Sequence, residues 1–371
     1  MKDRINSEIL VIGGGIIGLS IASNLQKNFQ TIVIEKNSEL GEEVSSRNSG
    51  VIHSGIYYPK NSLKAKLCIN GNKILHQYAA KKNIKIIKAG KLIVGSKKDE
   101  KSILKLYKNG MNNEILNLSL IEKDEIKQLE PNISERINFG ILSKSSSVID
   151  ASSLVHSIAD DFQEKGGIIS KQTSFIEHRL ENKIHIVSAV TNGELFEIKA
   201  KILIVASGLH SFENGQKIKK ISQSNKLKKL NFTKGHYFYV NKPPFERLIY
   251  PLPNDYGLGI HFTPDFGGRG KFGPDTHFTE LIDYKFESNI KDKFIQSISG
   301  YWEGVSDSLL HEDYVGIRPK IQASHEKNID FSILTPEDHG LENLYFLQGI
   351  ESPGLTSSLS IGNLIEQLVS K

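Results

Sequence analysis

Glycines near the start of the chain have the spacing of a dinucleotide-binding turn. The run Gly13-Gly14-Gly15-Ile16-Ile17-Gly18 follows the apolar stretch Ile9-Leu10-Val11-Ile12 and opens a helical pattern that extends to Gln26. In this pattern the first glycine permits a tight turn, the second lets the backbone approach a pyrophosphate, and the third lets the helix pack on the strand. The N–H groups at the start of the helix then face the phosphates. The sequence therefore predicts dinucleotide binding at this turn.

An acidic residue completes the motif. Glu35 ends the next apolar stretch, about 20 residues after the glycines, and Lys36 follows it. A carboxylate in this place accepts hydrogen bonds from the adenosine ribose hydroxyls and disfavours a 2′-phosphate, which argues against NADP. NAD and FAD share the motif, so it leaves the choice between those two open.

Three short runs rich in β-branched residues predict buried parallel strands around this turn. They are Ile9 to Ile12, Thr31 to Glu35 and Ile202 to Ala206. Because the runs are far apart in the sequence, the nucleotide-binding domain is expected to be discontinuous. The periodicity of apolar residues predicts three helices. The first two are expected to lie against this sheet, and the last returns to the same domain. These helical patterns are Ser62 to Lys82, Ser152 to Lys165 and Ser352 to Ser370.

The remaining segments mix short strands, turns and aromatic residues, which is typical of a largely antiparallel sheet. We therefore predict an α/β protein of two domains. Residues 1–83, 149–221 and 316–371 are assigned to a Rossmann-like nucleotide-binding domain. Residues 84–148 and 222–315 are assigned to a second, α+β domain that binds the substrate on a mainly antiparallel sheet.

The composition limits the function classes. The 371 residues are 38% hydrophobic and 24% charged, as in soluble globular proteins, and no run approaches the roughly 18 apolar residues of a membrane span. The first strand begins too early for a secretory signal, which predicts a cytoplasmic location. A single cysteine, Cys68, excludes a disulfide framework and a thiolate-rich metal site. The basic residues lack the aromatic or arginine-rich support of a nucleic-acid surface, so no nucleic-acid partner is expected. If a quinone is the electron acceptor, the basic surface would allow at most peripheral contact with an anionic membrane.

A second group of segments resembles a known family of flavoenzymes. Residues Ser46 to Tyr58, with Ser62 to Cys68 after them, are similar to the flavin-facing loop and helix of the L-2-hydroxyglutarate dehydrogenase group. That group belongs to the D-amino-acid-oxidase-like superfamily of FAD enzymes. Similar segments continue to the C-terminal region: Gly90 to Val94, Val205 to Leu209, Lys234 to Phe238, Tyr250 to Pro253, Gly259 to Thr263, Gly316 to Lys320 and Gly349 to Thr356. The resemblance implies that the dinucleotide is FAD.

The resemblance also implies which residues contact the cofactor. It places the loop after Ser46 beside the isoalloxazine and points the N-terminus of the last helix at the pyrimidine edge of the flavin, where negative charge is stabilised. With the motif above, the predicted cofactor-binding residues are Gly13, Gly15, Ile16, Ile17, Gly18, Glu35, Lys36, Arg47, Asn48, Ser49, Gly50, Ala206, Ser207, Gly208, Ser352, Pro353, Gly354, Leu355 and Thr356.

Oxidation of a 2-hydroxy acid requires a base for the hydroxyl proton and an anchor for the carboxylate. The resemblance identifies Arg318 as the anchor, and its planar guanidinium suits a bidentate bond. Histidine titrates in the right range for the base. His53, directly after the flavin loop, is the first candidate, and His261, on an alternating strand, is the second.

Further residues are expected around the substrate. Tyr57, His236 and Tyr237 are candidates to orient it. A five-carbon diacid also needs a second cation, for which Lys320 and Lys234 are candidates. The predicted function is FAD-dependent oxidation of a small 2-hydroxy acid, with L-2-hydroxyglutarate and its conversion to 2-oxoglutarate as the first choice. The alternative is an amino-acid or N-methyl-amino-acid oxidase on the same scaffold. Oxygen, a quinone or an electron-transfer flavoprotein remain open as electron acceptors.

Overall fold

The computed structural model describes residues 4–252, 259–321 and 329–370. Pro253, in one of the segments singled out above, lies outside the described residues. The strands are β1 (Arg4–Ile12), β2 (Thr31–Ile34), β3 (Val51–Ile52), β4 (Ile86–Ile87), β5 (Lys91–Ser96), β6 (Leu118–Glu122), β7 (Ile137–Ser143), β8 (Ser147–Ile149), β9 (Ile168–Ser170), β10 (Thr173–Glu181), β11 (Ile184–Thr191), β12 (Glu194–Val205), β13 (Asn231–Val240), β14 (Leu248–Pro251), β15 (His261–Pro264), β16 (Gly270–Gly273), β17 (His277–Thr279), β18 (His311–Lys320), β19 (Ser332–Leu334) and β20 (Leu344–Gln348). The helices are α1 (Ile16–Leu25), α2 (Leu63–Lys82), α3 (Glu100–Asn112), α4 (Lys123–Leu129), α5 (Ala151–Glu164), α6 (Ser211–Gln216), α7 (Lys219–Ser222), α8 (Lys291–Ile298), α9 (Pro336–His339) and α10 (Gly354–Val369).

The first sheet has a parallel centre in the order β9-β2-β1-β12-β20, extended by the antiparallel strands β10, β11 and β19. Along β1 the side chains alternate between two apolar layers. Leu10 and Ile12 pack on one side, whereas Ile9 and Val11 pack on the other side, in the same cluster as Ile361 of α10. All three predicted parallel strands lie in this sheet, which confirms the Rossmann-like prediction.

Capping residues fix where two of the predicted helices begin. The side chain of Ser62 accepts a hydrogen bond from the N–H of Ala65 at the start of α2. The side chain of Asp150 accepts one from the N–H of Ser153 at the start of α5. Each cap satisfies one of the N–H groups that a helix leaves unpaired at its first turn. The predicted helical patterns therefore begin within one residue of the observed helices.

The second sheet has the order β17-β13-β16-β15-β14-β5-β7-β6, with β18 also paired to β13. Its neighbours are antiparallel except for β14 and β5, which are parallel. The apolar side of this sheet packs against α8, as shown by the cluster that joins Phe238 and Phe262 to Phe294 and Ile298. A mainly antiparallel sheet in the second domain agrees with the sequence-based prediction.

Strand β18 runs through the boundary that the sequence predicted at residue 316. Main-chain pairing with β13 brings Arg318 opposite Thr233 and Gly316 opposite Gly235, so residues 316–320 belong to the second sheet. The prediction had assigned these residues to the nucleotide-binding domain. The reason for the difference is that a strand is placed by its ladder partner, which in this case is more than 80 residues away in the sequence.

A small third sheet, in the order β3-β8-β4, joins the segments that connect the two larger sheets. Its strand β3 ends one residue before His53, so this sheet places the first candidate base beside the N-terminus of α10. None of the helices in the described part of the chain combines the length and hydrophobicity that crossing a bilayer requires.

Candidate active site

The glycine turn has the close backbone contacts that the motif requires. A Cβ on Gly13 would lie 2.5 Å from the carbonyl oxygen of Ala206, and φ at Gly13 is 115°. A Cβ on Gly18 would lie 1.9 Å from the carbonyl oxygen of Gly13. Only glycine fits at these two positions, so the turn between β1 and α1 is specified by its residue types.

Glu35 lies where β2 ends, and its carboxylate is held by two backbone donors. Gly14 donates to one oxygen at 2.7 Å and Asn37 donates to the other at 2.9 Å. Burial raises the pKa of Glu35 above its ordinary value, although these two hydrogen bonds oppose the shift. Its neighbour Lys36 pairs with Glu43 at 2.9 Å, and both Glu35 and Lys36 line the cleft. The acidic side chain is thus fixed at the edge of the glycine turn.

The end of β12 forms the opposite wall of the turn. Ala206, Ser207 and Gly208 line the cleft together with Ile16 and Ile17 of α1. The hydroxyl of Ser207 is buried and has no hydrogen-bond partner among the described residues. An unpaired buried hydroxyl in a lined cleft is the expected environment for a polar ligand group.

The loop that follows Ser46 lies between the two domains. Arg47 lines the cleft, and its guanidinium stacks 4.4 Å from the ring centroid of Tyr284. Asn48 and Ser49 also line the cleft, and the hydroxyl of Ser49 lies 2.9 Å from that of Tyr237. The side-chain amide of Asn48 is hydrogen-bonded within its own loop. Its NH2 group donates to the carbonyls of Val44 and Ser45, and its oxygen accepts from the N–H of Gly50.

Gly50 is outside the cleft, contrary to the sequence-based prediction of a cofactor contact. Its N–H is already bonded to Asn48 at 2.8 Å, and a Cβ there would lie 2.7 Å from the carbonyl oxygen of Ile149. With φ at 67°, Gly50 is required for the shape of the loop and for its contact with the strand β8.

The N-terminus of α10 faces the same cleft. The five residues from Ser352 to Thr356 all line it. Because the first N–H groups of a helix lack intrahelical partners and carry partial positive charge, this end can stabilise an anion. Thr356 also joins the helix to the neighbouring segment, since its Oγ1 accepts from the N–H of His53 at 3.0 Å.

His53 is buried at the wall of the cleft beside a buried lysine. Its Nδ1 lies 3.3 Å from the Nζ of Lys91, the first residue of β5. Burial lowers the pKa of His53 well below its ordinary value, and the nearby Lys91 and Arg318 lower it further. Burial also lowers the pKa of Lys91 to about 7. His53 is therefore neutral at pH 7, and its imidazole has a lone pair for a proton.

His261 reaches the cleft from the second sheet. Its ring stacks on that of Tyr250 at a centroid distance of 3.9 Å, and its Nδ1 lies 3.1 Å from the carbonyl oxygen of Gly259. A carbonyl oxygen only accepts, so Nδ1 carries the proton and Nε2 has the lone pair. Burial lowers the pKa of His261 to about 3. Both candidate histidines thus face the cleft in neutral form.

Arg318 lines the cleft from β18 and is a quarter exposed at its side chain. Its Nη1 lies 3.9 Å from a carboxylate oxygen of Glu351, which also pairs with Lys64 at 3.1 Å. Burial by itself would raise the pKa of Glu351, but Lys64, Lys320 and Arg318 together lower it. Because Glu351 is shared among several cations, it only partly offsets the positive charge of Arg318. The guanidinium can therefore still attract a substrate carboxylate.

Successive side chains of β13 face alternately towards and away from the cleft, so the site residues predicted on this strand fall on opposite sides. Thr233, Gly235 and Tyr237 line the cleft. His236 points to the opposite side and is fully buried, with its Nδ1 3.0 Å from the carboxylate of Asp275. His236, which the sequence predicts to orient the substrate, therefore does not line the cleft, because successive side chains of a strand face opposite ways.

The two lysines proposed for a distal carboxylate are also placed elsewhere. Lys234, like His236, points away from the cleft and pairs with Asp283 at 3.0 Å and Glu287 at 3.5 Å. Lys320 is buried near Glu351 and does not line the cleft. Arg47, which the sequence assigned to the cofactor, lines the cleft and stacks on Tyr284 at the start of the loop that follows Ser46.

Tyr57 is likewise behind the cleft wall, where its ring lies 5.5 Å from the Nζ of Lys91. Its hydroxyl is buried without a hydrogen-bond partner among the described residues. It therefore contributes to the surroundings of Lys91 and does not line the cleft. The sequence-based prediction had placed Tyr57 against the substrate.

Lys91 is the principal residue that the sequence-based reasoning missed. It lies within the segment Gly90 to Val94, for which the sequence indicates a family resemblance but no role for the lysine. The available signal was a single lysine that opens an apolar, strand-forming run, since lysine is almost never fully buried without a specific partner. Tyr250 and Glu351 also lie within segments that resemble the family, but nothing in their spacing assigns them a place in the cleft.

One continuous cleft therefore connects the glycine turn, the loop at Asn48, the N-terminus of α10 and the side chains of His53, His261 and Arg318. The close backbone contacts at Gly13 and Gly18, the acceptor Glu35 and the unpaired hydroxyl of Ser207 fit the adenosine and diphosphate parts of FAD. The arrangement can place a carboxylate near Arg318 and a second polar group of the same molecule near a neutral histidine.

Comparison with known proteins also points to an enzyme that uses FAD. The chain matches the family described as FAD dependent oxidoreductase over residues 8–368. It is 32% identical to the mitochondrial L-2-hydroxyglutarate dehydrogenase of Arabidopsis thaliana, with 98% of this chain and 83% of that protein covered. It is 26% identical to the L-2-hydroxyglutarate dehydrogenase of Indibacter alkaliphilus, with 96% of this chain and 97% of that protein covered.

Solved structures share the fold. L-alpha-glycerophosphate oxidase from Mycoplasma pneumoniae, which was solved with FAD bound, superposes with a TM-score of 0.88 at 24% identity, covering 99% of this chain and 95% of that one. Glycine oxidase from Geobacillus kaustophilus superposes with a TM-score of 0.80 at 17% identity, covering 98% and 95%. At these identities the likeness describes the fold alone.

Proposed function

This chain belongs to the family of FAD-dependent oxidoreductases, and we propose that it oxidises a small 2-hydroxy acid, L-2-hydroxyglutarate, to 2-oxoglutarate. The observation that carries the proposal is the convergence of Arg318 with two neutral histidines, His53 and His261, at one end of the cleft. A carboxylate anchor and a proton acceptor are the two groups that this oxidation requires from the protein.

The substrate is held by its C1 carboxylate. The guanidinium of Arg318 offers two parallel donors, and the hydroxyl of Tyr237, close to Ser49, lines the cleft beside it. Burial raises the pKa of Tyr237, so it stays protonated and donates a hydrogen bond. This arrangement fixes the α-carbon relative to the histidines.

His53 accepts the hydroxyl proton through Nε2, which lies on the opposite side of the imidazole from the Nδ1 that faces Lys91. Bound FAD supplies the two-electron acceptor for the hydride that leaves the α-carbon. The N-terminus of α10 provides the partial positive charge that accommodates negative charge in the cleft. His261, whose Nε2 also has a lone pair, is the second candidate to accept this proton.

Arg47 is proposed to receive the distal carboxylate of a five-carbon diacid. It lines the cleft, and its Nη1 lies 3.4 Å from the carbonyl oxygen of Val315, on the same strand as Arg318. Lys234 is already paired with two carboxylates, which leaves Arg47 better suited to this task. The proposal favours a diacid over a monoacid because two guanidinium groups face one cleft.

Anaerobic reduction of the bound flavin tests the substrate. The purified protein should be yellow, and L-2-hydroxyglutarate should bleach its visible absorption band. The D-enantiomer and glutarate serve as controls, because the first misplaces the hydroxyl and the second lacks it. L-Glutamate tests the amino-acid alternative: a flavin that L-glutamate reduces and L-2-hydroxyglutarate leaves oxidised would overturn the substrate assignment.

The electron acceptor is assigned by reoxidation of the reduced enzyme. We propose a dehydrogenase that works in the cytoplasm and passes its electrons to a quinone or a partner flavoprotein. Reoxidation by air would then be slow in comparison with reoxidation by a soluble quinone or by electron-transfer flavoprotein. Rapid turnover with oxygen as the sole acceptor would make the protein an oxidase.

A further inference from the structure

A lysine is buried behind the candidate base without an acidic partner. Lys91 is 0% exposed, and within the described ranges no carboxylate forms an ion pair with it. Its Nζ lies 3.3 Å from the Nδ1 of His53 and 4.0 Å from the ring centroid of Tyr250. Burying a lone ammonium is costly, so burial favours the neutral amine of Lys91.

Lys91 is separated from the cleft by His53 and Tyr250. The lysine does not line the cleft, whereas the histidine does. Lys91 therefore contacts the cleft through two lining residues, His53 at its Nδ1 and Tyr250 at its ring. The ionisable groups that face Lys91 or its histidine partner are Cys68, Tyr57, Tyr250, His261 and Arg318.

The charge of Lys91 restricts which nitrogen of His53 can carry the proton. An ammonium can only donate, so it requires Nδ1 of His53 to be the acceptor and puts the ring proton on Nε2. A neutral amine can accept, so it permits Nδ1–H and leaves the lone pair on Nε2, towards the cleft. Only the second arrangement lets His53 take a proton from a substrate hydroxyl.

We propose that Lys91 is a positioning residue that sets the tautomer of His53 and receives its Nδ1 proton during substrate oxidation. The inference rests on the function proposed above. As the hydroxyl proton moves to Nε2, the Nδ1–H proton moves to the amine of Lys91, which becomes an ammonium. The O–H bond of the substrate breaks, the C–H bond loses its electron pair to the bound flavin, and the C=O double bond forms.

The surroundings of Lys91 suit this proton transfer. Burial lowers the pKa of Lys91 to about 7, so the amine is available near neutral pH. The ammonium that forms lies over the face of Tyr250, which stabilises a cation. No carboxylate in the described residues holds the lysine permanently charged, in contrast to Lys64, which pairs with Glu351.

The pH dependence of flavin reduction is the kinetic test. In the wild type the single-turnover reduction rate should rise with pH through a midpoint of about 7. Lys91→Met should slow reduction at about pH 8 by at least about tenfold and remove this inflection. Lys91→Gln, whose amide oxygen can still accept from Nδ1, should be faster than Lys91→Met and should also lack the inflection. Cys68→Ala removes a buried neighbour of the same pair and should keep it.

The tautomer is measured directly by 15N NMR of histidine-labelled, FAD-bound protein, without substrate. The signals of His53 are assigned as those missing from His53→Gln. Between about pH 6 and about pH 9 the proton of wild-type His53 should move from Nε2 to Nδ1, and in Lys91→Met this change should be absent.

The outcomes separate this inference from the proposed function. An inflection that survives in Lys91→Met, or a tautomer that is the same at both pH values in the wild type, overturns the role of Lys91. Failure of every 2-hydroxy acid to reduce the flavin overturns the proposed function, and in that case the NMR result still decides whether Lys91 controls the tautomer. If Lys91→Met does not fold, Lys91→Gln carries both measurements.

Discussion

Thr356 and His53 are joined by a hydrogen bond that holds the last helix against the candidate base. The Oγ1 of Thr356 accepts from the N–H of His53 at 3.0 Å and donates to the carbonyl of Val51 at 3.2 Å. Thr356 is fully buried. The helix N-terminus and the imidazole are therefore kept in a fixed relation by one hydroxyl.

Thr356→Val should lower the stability of the protein and slow the reduction of its flavin. The substitution keeps the shape of the side chain but leaves the N–H of His53 and the carbonyl of Val51 unpaired, which costs about 1–3 kcal/mol for each buried group. Urea denaturation should show lower stability, and stopped-flow absorbance should show slower flavin reduction. Thr356→Ser retains the hydroxyl and is the control; equal losses in both variants would contradict the role of the hydrogen bond.

Arg318→Lys should impair substrate binding although the charge is kept. A lysine offers one point of contact in place of the bidentate fork, and a hydrogen bond to a charged group contributes about 1.5–3 kcal/mol. We expect kcat/KM to fall about 10- to 100-fold, mostly through KM. Arg179→Lys, at a surface ion pair that does not line the cleft, is the matched control and should leave KM unchanged. Unaltered kinetics in Arg318→Lys would remove Arg318 from the substrate site.

Two glycines of the turn should respond differently to alanine. A Cβ on Gly18 would lie 1.9 Å from a backbone oxygen, so Gly18→Ala should destabilise the protein itself. At Gly15 the nearest atom would be the Oγ of Ser45 at 3.2 Å, and φ is −78°, so Gly15→Ala should fold. Its methyl group would stand in the cleft, and FAD affinity should fall. Thermal unfolding and flavin titration distinguish the two; tight FAD binding by Gly15→Ala would contradict the assigned diphosphate position.

The pH dependence of stability should reveal the neutral state of Lys91. The pKa of Lys91 is lowered by burial from 10.5 to about 7. Between these values the unfolded chain binds one more proton than the folded chain, so this residue makes stability rise with pH and opposes folding on the acidic side. Relative to Lys91→Met, the wild type should gain stability between about pH 7 and about pH 10. Urea denaturation of both proteins at several pH values measures the difference, and parallel curves would show that Lys91 is charged in the folded state.

Local sequence patterns determined much of the fold. The glycine turn, the acidic residue that follows it and the three apolar runs placed the parallel strands, because tight turns and buried strands depend on the residue types at each position. The helical patterns at 62–82 and 152–165 likewise agree with α2 and α5. These features are set by interactions within short segments, so a single sequence contains them.

Long-range pairing decided the rest. The end of β18 joined the second sheet because Arg318 lies opposite Thr233, which no local pattern could reveal. The same pairing and the pleat of β13 directed Tyr237 into the cleft and His236 away from it.

The sequence by itself determined a dinucleotide-binding turn, and its resemblance to a flavoenzyme family indicated FAD, an arginine and two histidines. Only the tertiary structure decided that Lys91 lies behind His53, because the two residues come from different sheets. His53 follows β3 of the small third sheet, and Lys91 is the first residue of β5 in the second sheet. Their contact, and hence the protonation of the base, depends on burial and charge that arise when distant segments pack together.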